Sequence, residues 1–135
     1  MTTLCFDFGN TRKKVAVFQD AEMKEAVTLA DDSLETIQSL IKKFNPQKSI
    51  LSSVIDHNVQ MEEALAAATQ FHKLSHHTRV AFTTPVGKPE TIGADRLALA
   101  AAAVHFYPGK NNFIIGLGTC ITYNFISEQG IFLGG

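Results

Sequence analysis

The stretch "FDFGNTRKK", residues 6–14, decides how the rest of the chain is read. An alternating apolar run carries one aspartate, Asp7, and stops at Gly9; Asn10 and Thr11 are short and polar, and Arg12, Lys13 and Lys14 are cations. Residues 3–8 have a strand pattern and residues 13–19 alternate again, so the stretch is the turn of a hairpin. A phosphate group needs backbone N–H donors at close range and little side-chain bulk in the way. Gly9 is free to take positive φ and lets the backbone approach, Asn10 and Thr11 offer short donors, and Lys13 or Arg12 supplies countercharge, with alternation placing only some of these side chains on the ligand side. Asp7 is unsuited to direct phosphate contact, because like charges repel; it is suited to holding Mg²⁺, directly or through water.

Glycine and asparagine are also ordinary hairpin residues, so one such turn carries little weight. A second one changes that. Residues 115–119, "IGLGT", repeat the order of strand, glycine turn and threonine, which adds Gly118 and Thr119 as partners for a nucleotide held between two turns. No GxxxxGK[ST] motif occurs in the chain.

Between the turns, residues 23–29 read as a third strand, which predicts an antiparallel meander. Asp32 or Ser33 then caps a helix with Leu34, Ile37, Leu40, Ile41 and Phe44 at helical spacing, stopped by Asn45-Pro46. Residues 49–54 are expected as a buried strand, 56–71 as an alanine-rich helix, 71–74 as a short strand, 78–91 as mostly loop, and 94–107 as a helix ended by Pro108-Gly109. Residues 113–117, 121–127 and 131–133 complete the series as strands. The order is that of a mixed α/β fold.

The 135 residues, 45% hydrophobic, suffice for a modest core. A net charge of -1 argues against nucleic acid or an acidic membrane as partner. No apolar run reaches the ~20 residues of a membrane span, and no secretory leader is visible, so a cytoplasmic protein is expected. Cys5 and Cys120 lie on separate runs and read as buried free thiols. His72 and His76 have HxxxH spacing but no glutamate of the HExxH kind between them, and with His77 they read as solvated surface. His57 and His105 are scattered.

"GADR", residues 93–96, opens the last helix. An aspartate there can accept a proton from a hydroxyl and an arginine can grip a carboxylate, although an acidic residue in a first helical turn also simply complements the helix dipole.

Taken in order, "DFGNT" (residues 7–11), "PETIGADRLALAAAA" (89–103), "GTCIT" (118–122) and "GIFLGG" (130–135) resemble the type III pantothenate kinases, or Baf-type proteins, of the actin-like, sugar-kinase-like ATPase superfamily. The resemblance implies an actin-like lobe over residues 1–110, with residues 111–135 as the opening strands of a second, truncated lobe. It implies phosphorylation of pantothenate by ATP with Mg²⁺, the first step of coenzyme A synthesis. It also implies a homodimer and a monovalent cation, K⁺ or NH₄⁺. Asp7 would organise Mg²⁺, the loop through Lys14 and Gly118-Thr119 would hold ATP, Gly93, Ala94, Asp95 and Arg96 would contact pantothenate, and Asp95 would be the general base. Where that family usually has aspartate, this chain has Gly116 at the cation position and Asn124 further on; Val86 and Lys88 replace its tyrosine and asparagine. With half the nucleotide clamp missing, little kinase activity is expected of these 135 residues alone. The same resemblance is compatible with a non-catalytic regulatory role or with another actin-like small-molecule kinase.

Overall fold

The computed structural model describes residues 1–85 and 87–134; Val86 and Gly135, both named above, lie outside the described residues. The chain divides into two compact units, Met1–Lys73 and Leu74–Gly135.

The first unit is built on a five-stranded mixed sheet. Strands β1 (Thr2–Phe8), β2 (Lys13–Gln19) and β3 (Glu22–Leu29) form the antiparallel meander, followed by helix α1 (Leu34–Phe44), strand β4 (Lys48–Ser53), helix α2 (Val59–Ala68) and strand β5 (Gln70–Lys73). The strand order is β3-β2-β1-β4-β5, with β1, β4 and β5 parallel. Alternation turns Leu4, Phe6, Phe8, Val15, Val17 and Leu51 to one face, where Ile37 of α1 and Met61 and Leu65 of α2 close the core.

The ends of these helices follow from local chemistry. Ser33 Oγ accepts from the Thr36 backbone N–H at 3.2 Å, and Asp31 accepts from Ser33 N and Thr36 Oγ1. Those bonds hold the Asp31 carboxyl below its usual range, the Thr36 hydroxyl contributing most. Asn45 ends α1 at φ 44, a left-handed conformation that asparagine tolerates better than most residues.

Helix α2 is shorter than the 56–71 expected from its alanines. Asn58 caps it by accepting from Gln60 N, and Asn58 N donates to Asp32 Oδ2 at 2.7 Å, so the cap itself is tied to the loop before α1. At the other end Gln70 and Phe71 pair with Lys48 and Ser49, and the ladder takes residues that propensity alone would leave in the helix.

The second unit holds a short 3₁₀ turn (Pro89–Thr91), helix α3 (Ala94–Phe106) and an antiparallel sheet of β6 (Asn112–Leu117), β7 (Ile121–Ile126) and β8 (Phe132–Gly134). Leu97 and Ala100 of α3 share a core with Phe82, Ile92, Ile126 and Phe132. Within the stretch expected as mostly loop, Thr83 bridges to Ile131, and Phe132 N donates to Thr83 O at 2.7 Å. Both cysteines are free, but Cys120 is exposed and Cys5 only partly buried, where buried thiols were expected. Burial raises the Cys5 thiol pKa, so it stays protonated. Among the described residues no helix is long and apolar enough to cross a membrane.

Candidate functional site

The chemistry-bearing residues fall into two groups, one in each unit. In the first, Asp7 is the penultimate residue of β1 and exposed. The parallel pair β1 and β4 ends here, and the carboxyl ends of parallel strands are where open α/β sheets bind ligands. Register fixes the neighbours: Asp7 stands opposite Lys14 of β2 and beside Ser52 of β4, all on the face away from α1 and α2. Lys13 is opposite Phe8 instead, on the helix-covered face, where its charge acts on Asp31. Alternation thus separates the two lysines, and only Lys14 shares a row with Asp7.

The turn itself is closed by Gly9 N donating to Arg12 O at 2.9 Å, with Asn10, Thr11 and Arg12 exposed. Gly9 is not among the residues at positive φ, and a Cβ added there would meet Arg12 O at 3.6 Å, an ordinary contact. The glycine is therefore required neither by backbone strain nor by crowding within the chain. What its missing side chain provides is open approach to the turn's backbone.

Ser52 is the residue that sequence reasoning missed here. Its side chain is buried, and its hydroxyl has no hydrogen-bond partner among the described residues, an arrangement that costs about 1–3 kcal/mol. This buried hydroxyl lies on the same row as the exposed Asp7 carboxylate, at the carboxyl ends of two parallel strands. Asp7, Lys14 and the open Gly9 turn together fit a Mg-phosphate group. The only visible signal was the alternation in β4, which puts Ser52 level with Asp7 once the strands are aligned.

A second missed cluster supports this turn from below. His57, read from sequence only as scattered, is nearly buried: its Nε2 lies 2.6 Å from Glu62 Oε2, its Nδ1 3.1 Å from Ser53 Oγ, and its ring stands edge-on to Phe8. Lys73 Nζ adds a contact to Glu62 at 3.4 Å. Burial raises the Glu62 pKa, but the bonds and charges of His57 and Lys73 outweigh it, and the net direction is down. The cluster pins the first turn of α2 to the end of β4 and to Phe8, next to Gly9. A depression lined by Thr3, Lys48, Gln70 and His72 lies at the other end of the same strands, away from Asp7. His72 is on β5, a strand, so no helix aligns it with His76, and the described residues hold no cluster of metal ligands.

In the second unit, Gly93 is the N-cap of α3, accepting from Arg96 N and Leu97 N, and Ala94, Asp95 and Arg96 form the first turn. Asp95 is partly exposed and makes no hydrogen bond or ion pair among the described residues, which leaves its carboxylate able to take a proton from a ligand. Arg96 is held. Its Nε donates to Asn124 Oδ1 at 2.7 Å, its guanidinium lies over the Phe132 ring at 5.8 Å, and a Cβ on Gly134 would come within 3.9 Å of Nη2. No carboxylate pairs with Arg96 among the described residues.

The second glycine turn repeats the first in one respect: Gly118 N donates across the turn to Cys120 O at 3.3 Å. Gly118 and Thr119 are exposed, and a Cβ on Gly118 would find only ordinary contact. Gly116 differs. A Cβ there would lie 2.6 Å from Thr122 Oγ1 and 3.2 Å from Leu99 Cδ1, so the place of a side chain is already filled.

Comparison with known proteins joins these two groups to one family. A family profile described as type III pantothenate kinase matches residues 3–135. A type III pantothenate kinase from Christiangramia forsetii is 44% identical over 134 residues, covering 98% of this chain and 55% of that protein. One from Bacteroides fragilis is 37% identical over 136 residues with the same coverage. The chain thus spans about half the length of the curated relatives it matches. A crystal structure from Cytophaga hutchinsonii, described as a sugar kinase, superposes with a TM-score of 0.52 at 14% identity, over 100% of this chain and 50% of that one. That likeness speaks to fold, and the fold is the expected α/β actin-like ATPase lobe with its antiparallel meander and helix–strand alternation.

Proposed function

The chain belongs to the type III pantothenate kinase family, and from that premise we propose that it carries the phosphate-binding and hydroxyl-activating half of an ATP-dependent pantothenate kinase. The observation that supports this most is the row of Asp7, Lys14 and Ser52 beside an open Gly9 turn at the carboxyl ends of parallel strands.

In this reading the backbone of residues 9–11 and the Lys14 ammonium bind phosphate oxygens, and Asp7 would hold Mg²⁺. Bound Mg²⁺ would offset the negative charge of the phosphates. Lys13 lies on the opposite face of the sheet from Asp7 and Lys14, so Lys14 carries the greater share of the phosphate contact. Gly118 and Thr119 contribute a second set of short donors to ATP. Arg96 grips the pantothenate carboxylate, Gly93 and Ala94 line it, and Asp95 accepts the proton of the primary hydroxyl as that oxygen attacks the γ-phosphorus, the bond to the β–γ bridging oxygen breaks and ADP departs. Residues 1–110 would then act as one lobe and 111–135 as the start of the other. The enzyme would work as a cytoplasmic homodimer. Its monovalent-cation site would lack the carboxylate expected at Gly116, a position that Thr122 fills.

Pantothenate-dependent ADP release tests the reading, measured on the protein expressed from its full reading frame after its intact mass has been determined. Asp95→Asn is expected to lower turnover ~10²–10⁴-fold, the usual range for a lost general base. Wild-type turnover in that variant, or release driven by a sugar instead, would contradict it.

A further inference from the structure

Asn124 is fully buried on β7, beside Ile114 of β6 and on the face packed by α3. An amide in that position is unexpected. Its Oδ1 accepts from Arg96 Nε at 2.7 Å, but its Nδ2 is buried with no partner among the described residues. A leucine of similar volume would fill the same space and remove the orphaned Nδ2, but it would leave the Arg96 Nε–H without its acceptor. Packing therefore does not explain the amide; the hydrogen bond to Arg96 does. With Phe132 against its face and Gly134 beside Nη2, Arg96 is fixed at its inner nitrogen by a neutral acceptor and has no compensating carboxylate among the described residues. Its charge and its remaining N–H donors stay available to an anion.

We propose that Asn124 is a positioning residue for substrate recognition: it fixes the Arg96 guanidinium in the orientation that binds a ligand carboxylate, at the expense of its own unsatisfied Nδ2. The proposal rests on the reading of Arg96 as the pantothenate carboxylate grip. It adds that recognition depends on a side chain one layer below the ligand.

Side-chain ¹⁵N NMR on the 135-residue chain tests both parts. The chain's arginines are Arg12, Arg79 and Arg96, and the first two are exposed. The Arg96 Nε–H is expected to exchange with solvent about 10-fold or more slowly than the others, and pantothenate is expected to shift its resonance while the uncharged pantothenate carboxamide does not. Asn124→Leu should abolish the slow exchange and the pantothenate response, while the chain stays folded by its backbone amide spectrum. Asn124→Asp, which restores an acceptor, should keep the exchange slow, and it serves as the informative variant if the leucine protein fails to fold.

An Arg96 Nε–H that exchanges as fast as Arg12 and Arg79, or a leucine variant that keeps its pantothenate response, would overturn the proposal. Slow exchange together with no response to either ligand would overturn the pantothenate reading itself. Equal shifts from both ligands around residues 93–96 would leave pantothenate in place and remove the carboxylate grip.

Discussion

In the first unit the strands flanking the Gly9 turn bury Leu4, Phe6, Phe8, Val15 and Val17 beneath two helices. In the second, the strands flanking the Gly118 turn are covered by α3 on one face, while the other leaves Phe113, Ile115, Leu117, Ile121 and Tyr123 more than half exposed. Register puts all five of these side chains on the same face, with Phe113 and Tyr123 stacked at 5.8 Å. The hairpins share a motif and differ in what holds them. The first turn is positioned by hydrophobic layering, so its functional side chains sit on a row whose back is a packed core. The second unit positions its arginine with one buried amide, in a sheet whose outer apolar surface contributes nothing to that core.

Several changes would break or sharpen this contrast. Phe8→Ala should destabilise the first unit by about 3–5 kcal/mol in urea unfolding, since its ring is fully buried, whereas Phe113→Ala, 63% exposed, should change stability by no more than about 0.5 kcal/mol. Similar losses at the two positions would mean that the outer face of β6 is covered.

The glycines come next. Gly116→Asp must displace Thr122 or Leu99 and should cost about 1–3 kcal/mol. Gly9→Ala and Gly118→Ala meet only ordinary contacts and should be nearly neutral in stability, yet each should weaken Mg-ATP binding measured by calorimetry, because the added methyl obstructs the turn. A neutral Gly116→Asp would show that the second hairpin yields more readily than its packing implies.

The smallest effect is electrostatic. The Glu62 carboxyl is held below its unfolded value of 4.5 by His57 and Lys73 despite burial, so its contribution is present above that value and is lost as pH falls through the lower folded pKa. Glu62→Gln should therefore reduce stability at pH 6 by less than about 1 kcal/mol, with the difference from wild type shrinking in acid melts. A difference that grows toward low pH would reverse the assigned sign.

Strand β2 and the stop of α1 were legible in the sequence because each rests on a local rule: alternation for residues 13–19, and an asparagine–proline pair after Phe44. The over-long α2 shows where composition misleads. Alanine favours helix, but the capping side chain of Asn58 and the β4–β5 ladder set the ends. At the sites, Asp7 and Asp95 could be singled out because their motifs are contiguous. Ser52, His57 and Asn124 could not, because what marks them is a neighbour on another element: Asp7 across a parallel register, Glu62 in the next helix, Arg96 on α3. In the same way the sequence reveals that Gly116 lacks a carboxylate, and only packing reveals that Thr122 takes its place.

The most direct test of the central claim is a Mg-ATP titration followed through backbone amide resonances. The account predicts that residues 9–14 and 118–119 shift together, that the shifts at 9–14 require Mg²⁺, and that Asp7→Asn removes this Mg²⁺ dependence. Shifts confined to other parts of the chain, or identical shifts with and without Mg²⁺ in the wild type, would contradict it.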